Sequence, residues 1–207
     1  MRNSSSLLCC SRRAFVLGAL GTGAAIALGA KVSLPVLASP KTPYANGLIF
    51  PPGGNSFASF SAKCTGCQLC VAACPHNVLR SSDQGAGLLQ PALSFTHGYC
   101  QPDCVACSEV CPTGALLPIL PRVKRYTQIG IARFKRELCE VVTHGTNCTE
   151  CAQKCPEGAI MLVDDGGLRL PRIDEYRCNG CGACEHFCPV KGEVAISVEG
   201  LPAHERI

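Results

Sequence analysis

Tryptophan is absent from this 207-residue chain, methionine occurs twice, and Phe and Tyr supply the whole aromatic content of 5%. A core with so few large rings is thin, and small domains of that kind lean on staples or metals for stability. The chain also lacks a dinucleotide fingerprint, a P-loop and any dyad or triad spacing, so nucleotide-driven and nucleophilic catalysis have no residues to rest on. An excess of one charge sign is missing too, once the first 38 residues are set aside. Those carry Arg2, Arg12, Arg13 and Lys31 and no acid, and they account for the net charge of +4. The remaining 15 basic residues are matched by 15 acidic ones. That balance excludes a nucleic-acid binder, which is basic over a whole face.

The N-terminal bias reads as an address. Ser11-Arg12-Arg13-Ala14-Phe15-Val16-Leu17 has the form of a twin-arginine (Tat) export motif. An apolar stretch from Ala14 to Ala30 follows, and Val36-Leu37-Ala38 offers a small-residue cleavage site. Charged start, apolar middle and small-residue end are the parts of a signal peptide. Gly18, Gly21, Gly23 and Gly29 interrupt the apolar stretch, which makes a strong spanning helix a poor fit, although an uncleaved anchor is the alternative. Residues 1–38 are therefore expected to be a Tat signal and 39–56 a linker, with the protein in the periplasm. Cys9 and Cys10 precede the arginines and receive no role. The Tat route carries folded, cofactor-loaded proteins, so any cofactor is expected to be inserted before export.

What the chain has in abundance is cysteine, 18 residues. Sixteen of them fall into four groups. Cys64, Cys67, Cys70 and Cys74 are spaced C-x2-C-x2-C-x3-C and followed by Pro75. Cys100, Cys104, Cys107 and Cys111 are spaced C-x3-C-x2-C-x3-C, with Pro112. Cys139, Cys148, Cys151 and Cys155 are spaced C-x8-C-x2-C-x3-C, with Pro156. Cys178, Cys181, Cys184 and Cys188 repeat the first spacing, with Pro189. Three close cysteines on a tight loop present thiolates to three irons of one 4Fe–4S cubane. Gly66, Gly180 and Gly182 let the backbone curl close, and loop amides hydrogen-bond the sulfurs. The fourth cysteine lies on the next turn and points away; in two-cluster ferredoxins it ligates the neighbouring cluster.

Short apolar runs separate the groups. Gly114–Leu116, Gly158–Val163 and Val194–Val198 are expected to be strands. Asp164-Asp165-Gly166-Gly167 marks a hairpin turn leading into a strand from Leu168 to Ile173, and Gln84-Gly85-Ala86-Gly87 is expected to play the same part earlier. The fold class is α+β: two tandem bacterial ferredoxin-like two-cluster (βαββαβ) units after the signal. Unit 1 spans 57–120, a basic connector 121–128, unit 2 129–200 and a tail 201–207. With the usual exchange of fourth ligands, Cys64, Cys67, Cys70 and Cys111 hold one cluster, and Cys100, Cys104, Cys107 and Cys74 the second. Cys139, Cys148, Cys151 and Cys188 hold the third, and Cys178, Cys181, Cys184 and Cys155 the fourth. A nested pairing, group one with four and two with three, stays open; short connectors inside each half favour the tandem one.

Other cysteine chemistries fit less well. Zinc needs only four ligands, usually as two separated pairs. Disulfides do not require this regular spacing, and a twin-arginine signal argues against bonds made after export. Cys100-x3-Cys104-x2-Cys107 matches the spacing of radical S-adenosylmethionine enzymes, but Cys111 follows to close the site and the chain is too short for their barrel. His76, His97, His144, His186 and His204 are not at ligand spacing with one another. Lys63 and His76 flank clusters. The basic stretch of Arg122, Lys124, Arg125, Arg133, Lys135 and Arg136 is either a solvated linker balanced by Glu137 and Glu140 or a docking patch for an acidic redox partner.

These features together resemble the ferredoxin-type NapG/MauM family of periplasmic nitrate reduction and methylamine utilisation. The residues that carry the resemblance are the Tat motif, Pro51-Pro52-Gly53, Phe57-Ala58-Ser59, the long gap from Cys139 to Cys148, and Cys178-Asn179-Gly180-Cys181-Gly182-Ala183-Cys184. The C-x3-C-x2-C start of the second group departs from the pattern. The resemblance implies a periplasmic electron carrier with four 4Fe–4S clusters, not itself an enzyme. It implies an iron–sulfur partner that oxidises quinol at the membrane and a terminal reductase or cytochrome as acceptor, with membrane contact only through a partner or an uncut signal. A rival within the same chemistry is the iron–sulfur subunit of a molybdopterin oxidoreductase, where nested pairing is usual.

Overall fold

The structure is a computed structural model that describes residues 48–83 and 89–207. The expected signal peptide, Cys9 and Cys10, and the turn expected at 84–87 lie outside the described residues. Helix and strand are mixed, in short pieces. Among the described residues no helix is long and apolar enough to cross a membrane.

Helix α1 (Phe57–Lys63) starts where Ser56 caps it, its Oγ accepting the Ser59 N–H at 3.3 Å. Phe57 and Phe60, three apart on one face, are buried against Phe50, which stacks on Phe60 at 5.5 Å. Residues 49–54, expected to be linker, are therefore core: Ile49, Phe50, Pro51 and Pro52 are all buried. The one-turn helix α2 (Leu69–Ala72) leads to a hairpin of β1 (Leu79–Ser81) and β2 (Pro91–Leu93). Buried Leu79 and Leu93 face each other there, and the Leu93 N–H reaches the Ile49 carbonyl at 2.8 Å. Then come α3 (Ala106–Glu109) and α4 (Pro121–Arg125), the latter started by a proline at its first position, where no N–H is needed.

The second half is built on two antiparallel pairs. β3 (Thr127–Phe134) pairs with β6 (Ile196–Arg206), with a register shift between Gln128 and Gly130. β4 (Ile160–Asp165) pairs with β5 (Leu168–Ile173) through the expected turn, which Asp164 closes by accepting the Gly167 N–H at 3.2 Å. Between the pairs lie a 3-10 turn (Arg136–Leu138), α5 (Glu140–Thr143), α6 (Glu150–Gln153) and α7 (Ala183–His186).

Three expectations are corrected. Gly114–Leu116 is not a strand; Gly114 turns with φ +66° and the Leu117 N–H reaches back to the Gly53 carbonyl at 2.9 Å. Residues 201–206 are not a tail but the far end of β6, bridged at Ala203 to Ser56. The connector 121–128 is α4 and the first turn of β3, since Thr127 and Gln128 pair with Arg206 and Glu205.

The end of β6 also brings a titratable group into the core. His204 lies flat on Phe50, ring centroids 3.8 Å apart, and neither ring nitrogen reaches a hydrogen-bond partner. Burial lowers its pKa to about 4, with the nearby backbone of Gly54 and Phe50 offsetting part of the shift. Neutral His204 suits the folded state, so its contribution is whole above pH 6.5 and is lost as pH falls toward 4. The loss amounts to about 3 kcal/mol. His204→Phe should flatten the decline in stability between pH 6.5 and 4.5, measured by urea unfolding; an unchanged slope would rule out His204 as its source.

Candidate metal centre

Sixteen thiols come together in four sets. Cys64, Cys67, Cys70 and Cys111 line one cavity of about 320 Å³, mouth included. The loop that makes it is held in shape by Gln68, itself left-handed at φ +64°, whose Nε2 donates to the carbonyls of Gly66 at 3.1 Å and Leu89 at 2.6 Å. Cys139, Cys148, Cys151 and Cys188 line a cavity of about 400 Å³ under Phe134 and Ile196. Cys155, Cys178, Cys181 and Cys184 line one of about 300 Å³. The remaining set is the second in chain order, the Cys139 and Cys178 sets being the third and fourth: the Cys100 thiol is close enough to feel Cys104 and Cys74, and Cys107 feels Cys100 and Cys104. Each set has three cysteines from one sequence group and one from the other group of the same half.

Two cysteines show how the fourth positions are fixed. Both Cys111 and Cys155 begin a C-P-x-G-A run whose glycine, Gly114 or Gly158, adopts positive φ and turns the chain back. The Leu116 N–H then reaches Cys111 Sγ at 3.4 Å, and the Ala159 N–H reaches Cys155 Sγ at 3.3 Å.

The electrostatics say what such a set needs. Burial, reinforced by the neighbouring thiols, pushes Cys70 up to about 11 and Cys107, Cys151 and Cys181 up to about 12. Cys184 rises too, for the same reasons. Only at Cys111 is burial outweighed, by bonds from the backbone of Leu116 and the Thr113 hydroxyl, and its pKa is lowered. Four crowded thiols of this kind do not all ionise without positive charge among them. A single ion does not answer: among the described residues no three His, Cys, Asp or Glu side chains converge closely enough to hold one. Four thiols per set are the donors of a 4Fe–4S cluster.

The sets follow one another through close contacts. Cys107 of the second set feels Cys70 of the first. The Cys100 N–H donates to the Cys181 carbonyl at 2.9 Å, tying the second set to the fourth. Cys184 of the fourth feels Cys151 of the third. The spatial order is first, second, fourth, third.

Most of the basic stretch has partners within the fold. Arg125 pairs with Asp103 at 3.2 Å, Arg133 with Glu175 at 2.6 Å and Glu199 at 3.3 Å, Lys135 with Glu193, and Arg136 with Asp165. Lys124 is 5% exposed and its Nζ donates to the Gln101 carbonyl. Sequence reasoning missed it, because nothing in a run of charges distinguishes the one that turns inward. Lys63, His97 and His144 are exposed, and His186 Nδ1 lies 2.9 Å from the Phe95 carbonyl.

Known proteins share these features. Residues 63–115 and 146–191 each match the 4Fe-4S dicluster domain family. The chain is 32% identical over 157 residues to the ferredoxin-type protein NapF of Escherichia coli K12, covering 75% of this chain and 87% of that protein. It is 33% identical over 176 residues to the methylamine utilization ferredoxin-type protein MauM of Paracoccus denitrificans, 80% of this chain and 77% of the relative. To the ferredoxin-type protein NapG of Escherichia coli it is 28% identical over 162 residues, 72% and 68% of the two chains.

Proposed function

Since the chain belongs to the ferredoxin-type 4Fe–4S proteins that include NapF and MauM, we propose that it is a periplasmic carrier holding four 4Fe–4S clusters and catalysing no bond chemistry of its own. It takes electrons from an iron–sulfur partner that oxidises quinol at the membrane and delivers them to a terminal reductase or cytochrome. The observation that carries this reading is the grouping of sixteen thiols into four sets of four, with the two halves joined at Cys100 and Cys181.

The clusters, when bound, supply reversible one-electron chemistry. The chain's own residues do the rest. The cysteines hold the clusters in the tandem pairing, three from one group and one from its neighbour. The second half is then a βαββαβ unit, with β3 and β6 as its outer strands. The amides of Leu116 and Ala159 hold negative sulfur in place. The Cys100–Cys181 bond keeps the two halves in contact where their sites are nearest. The rival reading, a molybdopterin oxidoreductase subunit, usually has nested pairing, and no set here joins group one with group four or two with three.

The test is iron and acid-labile sulfide per chain on protein purified anaerobically from the periplasmic fraction, with electron paramagnetic resonance after reduction. About sixteen of each is the expected result. About eight would leave half of the sets empty and overturn the four-cluster reading. Zinc without sulfide would end the electron-transfer reading, and recovery only from the cytoplasm would end the periplasmic one.

A further inference from the structure

A buried cation needs a counter-charge, and Lys124 has an unusual one. It sits on α4 with 5% of its surface exposed. Its Nζ donates to the Gln101 carbonyl, one residue past Cys100. Among the described residues it makes no ion pair with a carboxylate, whereas its neighbour Arg125 turns outward to Asp103. What faces it is thiol: its charge acts on Cys100 and Cys107. An unpaired charge in a protein interior is costly. The negative charge that offsets this one is that of the second cysteine set.

From this geometry we propose that Lys124 is a positioning residue that raises the reduction potential of the second site, making it the easiest to reduce of the four. The inference rests on the four-cluster reading. A fixed positive charge buried beside the site, screened little by water, favours the more negative, reduced state. The other sites have no counterpart in this structure: among the described residues, Lys124 is the one buried Lys or Arg side chain. The second site is also the one that meets the other half, through Cys100 and Cys181. Lys124 therefore marks an inner position of the series, not an end, as the place where an added electron rests. The reaction concerned is a one-electron reduction in which no bond forms or breaks and no proton moves; in the test the electron comes from dithionite, which is oxidised.

The experiment is an anaerobic redox titration of the loaded full chain, followed by electron paramagnetic resonance, with iron and sulfide measured on every sample. Lys124→Gln keeps a donor for the Gln101 carbonyl without the charge, Lys124→Met removes both, and Lys124→Arg keeps the charge. In the Gln and Met variants the highest couple should move down by at least tenfold in its equilibrium constant, 59 mV for one electron. The other three couples and the Arg variant should stay in place. The couple that moves should be the one missing from Cys104→Ala. Fully loaded neutral variants with unshifted couples would overturn the proposal, and so would an equal shift of all four. If both neutral variants lose that cluster while Lys124→Arg keeps it, the charge holds the cluster instead of setting its potential, and the proposal also falls. A wild type without the expected iron and sulfide would instead overturn the four-cluster reading beneath it.

Discussion

Cys111→Ala is expected to lower the iron content from about sixteen to about twelve per chain, by emptying a site whose other three ligands lie about forty residues earlier. Cys111 ends the second sequence group, yet it lines the cavity of Cys64, Cys67 and Cys70 and is felt by Cys64. Its neighbour Cys107 belongs to a different set. Pairs of substitutions therefore separate tandem from nested ligation, because changes within one site do not add while changes in separate sites do. Cys64→Ala with Cys111→Ala should leave about twelve irons, no fewer than either change alone, whereas Cys64→Ala with Cys107→Ala should leave about eight. If the first pair also leaves about eight, Cys111 serves another set and the tandem assignment is wrong.

The second large effect is steric. Gly180 and Gly182 both have φ near +80°. A Cβ on Gly180 would lie 2.5 Å from the N and O of Gly130, which is backbone in β3. A Cβ on Gly182 would lie 2.2 to 2.3 Å from the ring of Phe95, a side chain that follows β2. Left-handed strain plus overpacking makes each alanine cost about 4 kcal/mol, and Tm should fall by roughly 10 °C for a domain of this size. The difference lies in the remedy. Phe95→Leu should recover more than half of the loss in Gly182→Ala, because a smaller side chain opens the space. It should recover none in Gly180→Ala, where the obstacle is main chain. Differential scanning calorimetry of the four variants decides; equal rescue of both would mean that strain alone, and not the close approach of Phe95 or Gly130, sets the cost.

The cysteine groups were legible in the sequence because ligand spacing is local chemistry, and β4 and β5 because alternation and an Asp-Gly turn are local too. β3 was not. Of its buried positions Gln128, Ile129, Gly130 and Ala132, three are polar or small, so only a weak apolar alternation marks it. They are small because Gly180 packs on Gly130 and polar because Gln128 Nε2 donates to the carbonyls of Glu175 at 2.7 Å and Cys178 at 2.6 Å. A strand that cradles a cysteine loop gives up the pattern by which strands are recognised. Residues 49–54 were hidden for a related reason: Pro51-Pro52-Gly53-Gly54 has the composition of a linker, and only its contacts with Phe60 and Leu117 show it to be interior. Lys124 and His204 were beyond sequence reasoning because each is turned inward by partners distant along the chain.

β6 follows every cysteine in the sequence, pairs with β3 along its length, bridges Ser56 and lays His204 on Phe50. In a chain still being translated, the sixteen cysteines of the four groups are made before the strand that closes over them. Until then β3 presents an open edge, the kind of edge that recruits other chains. Contacts between the start and the end of a sequence are slow to form, so the nascent protein passes through an interval in which its thiols are presented and its sheet is unfinished. The strand that completes the sheet is thus made after the cysteines whose loops it covers.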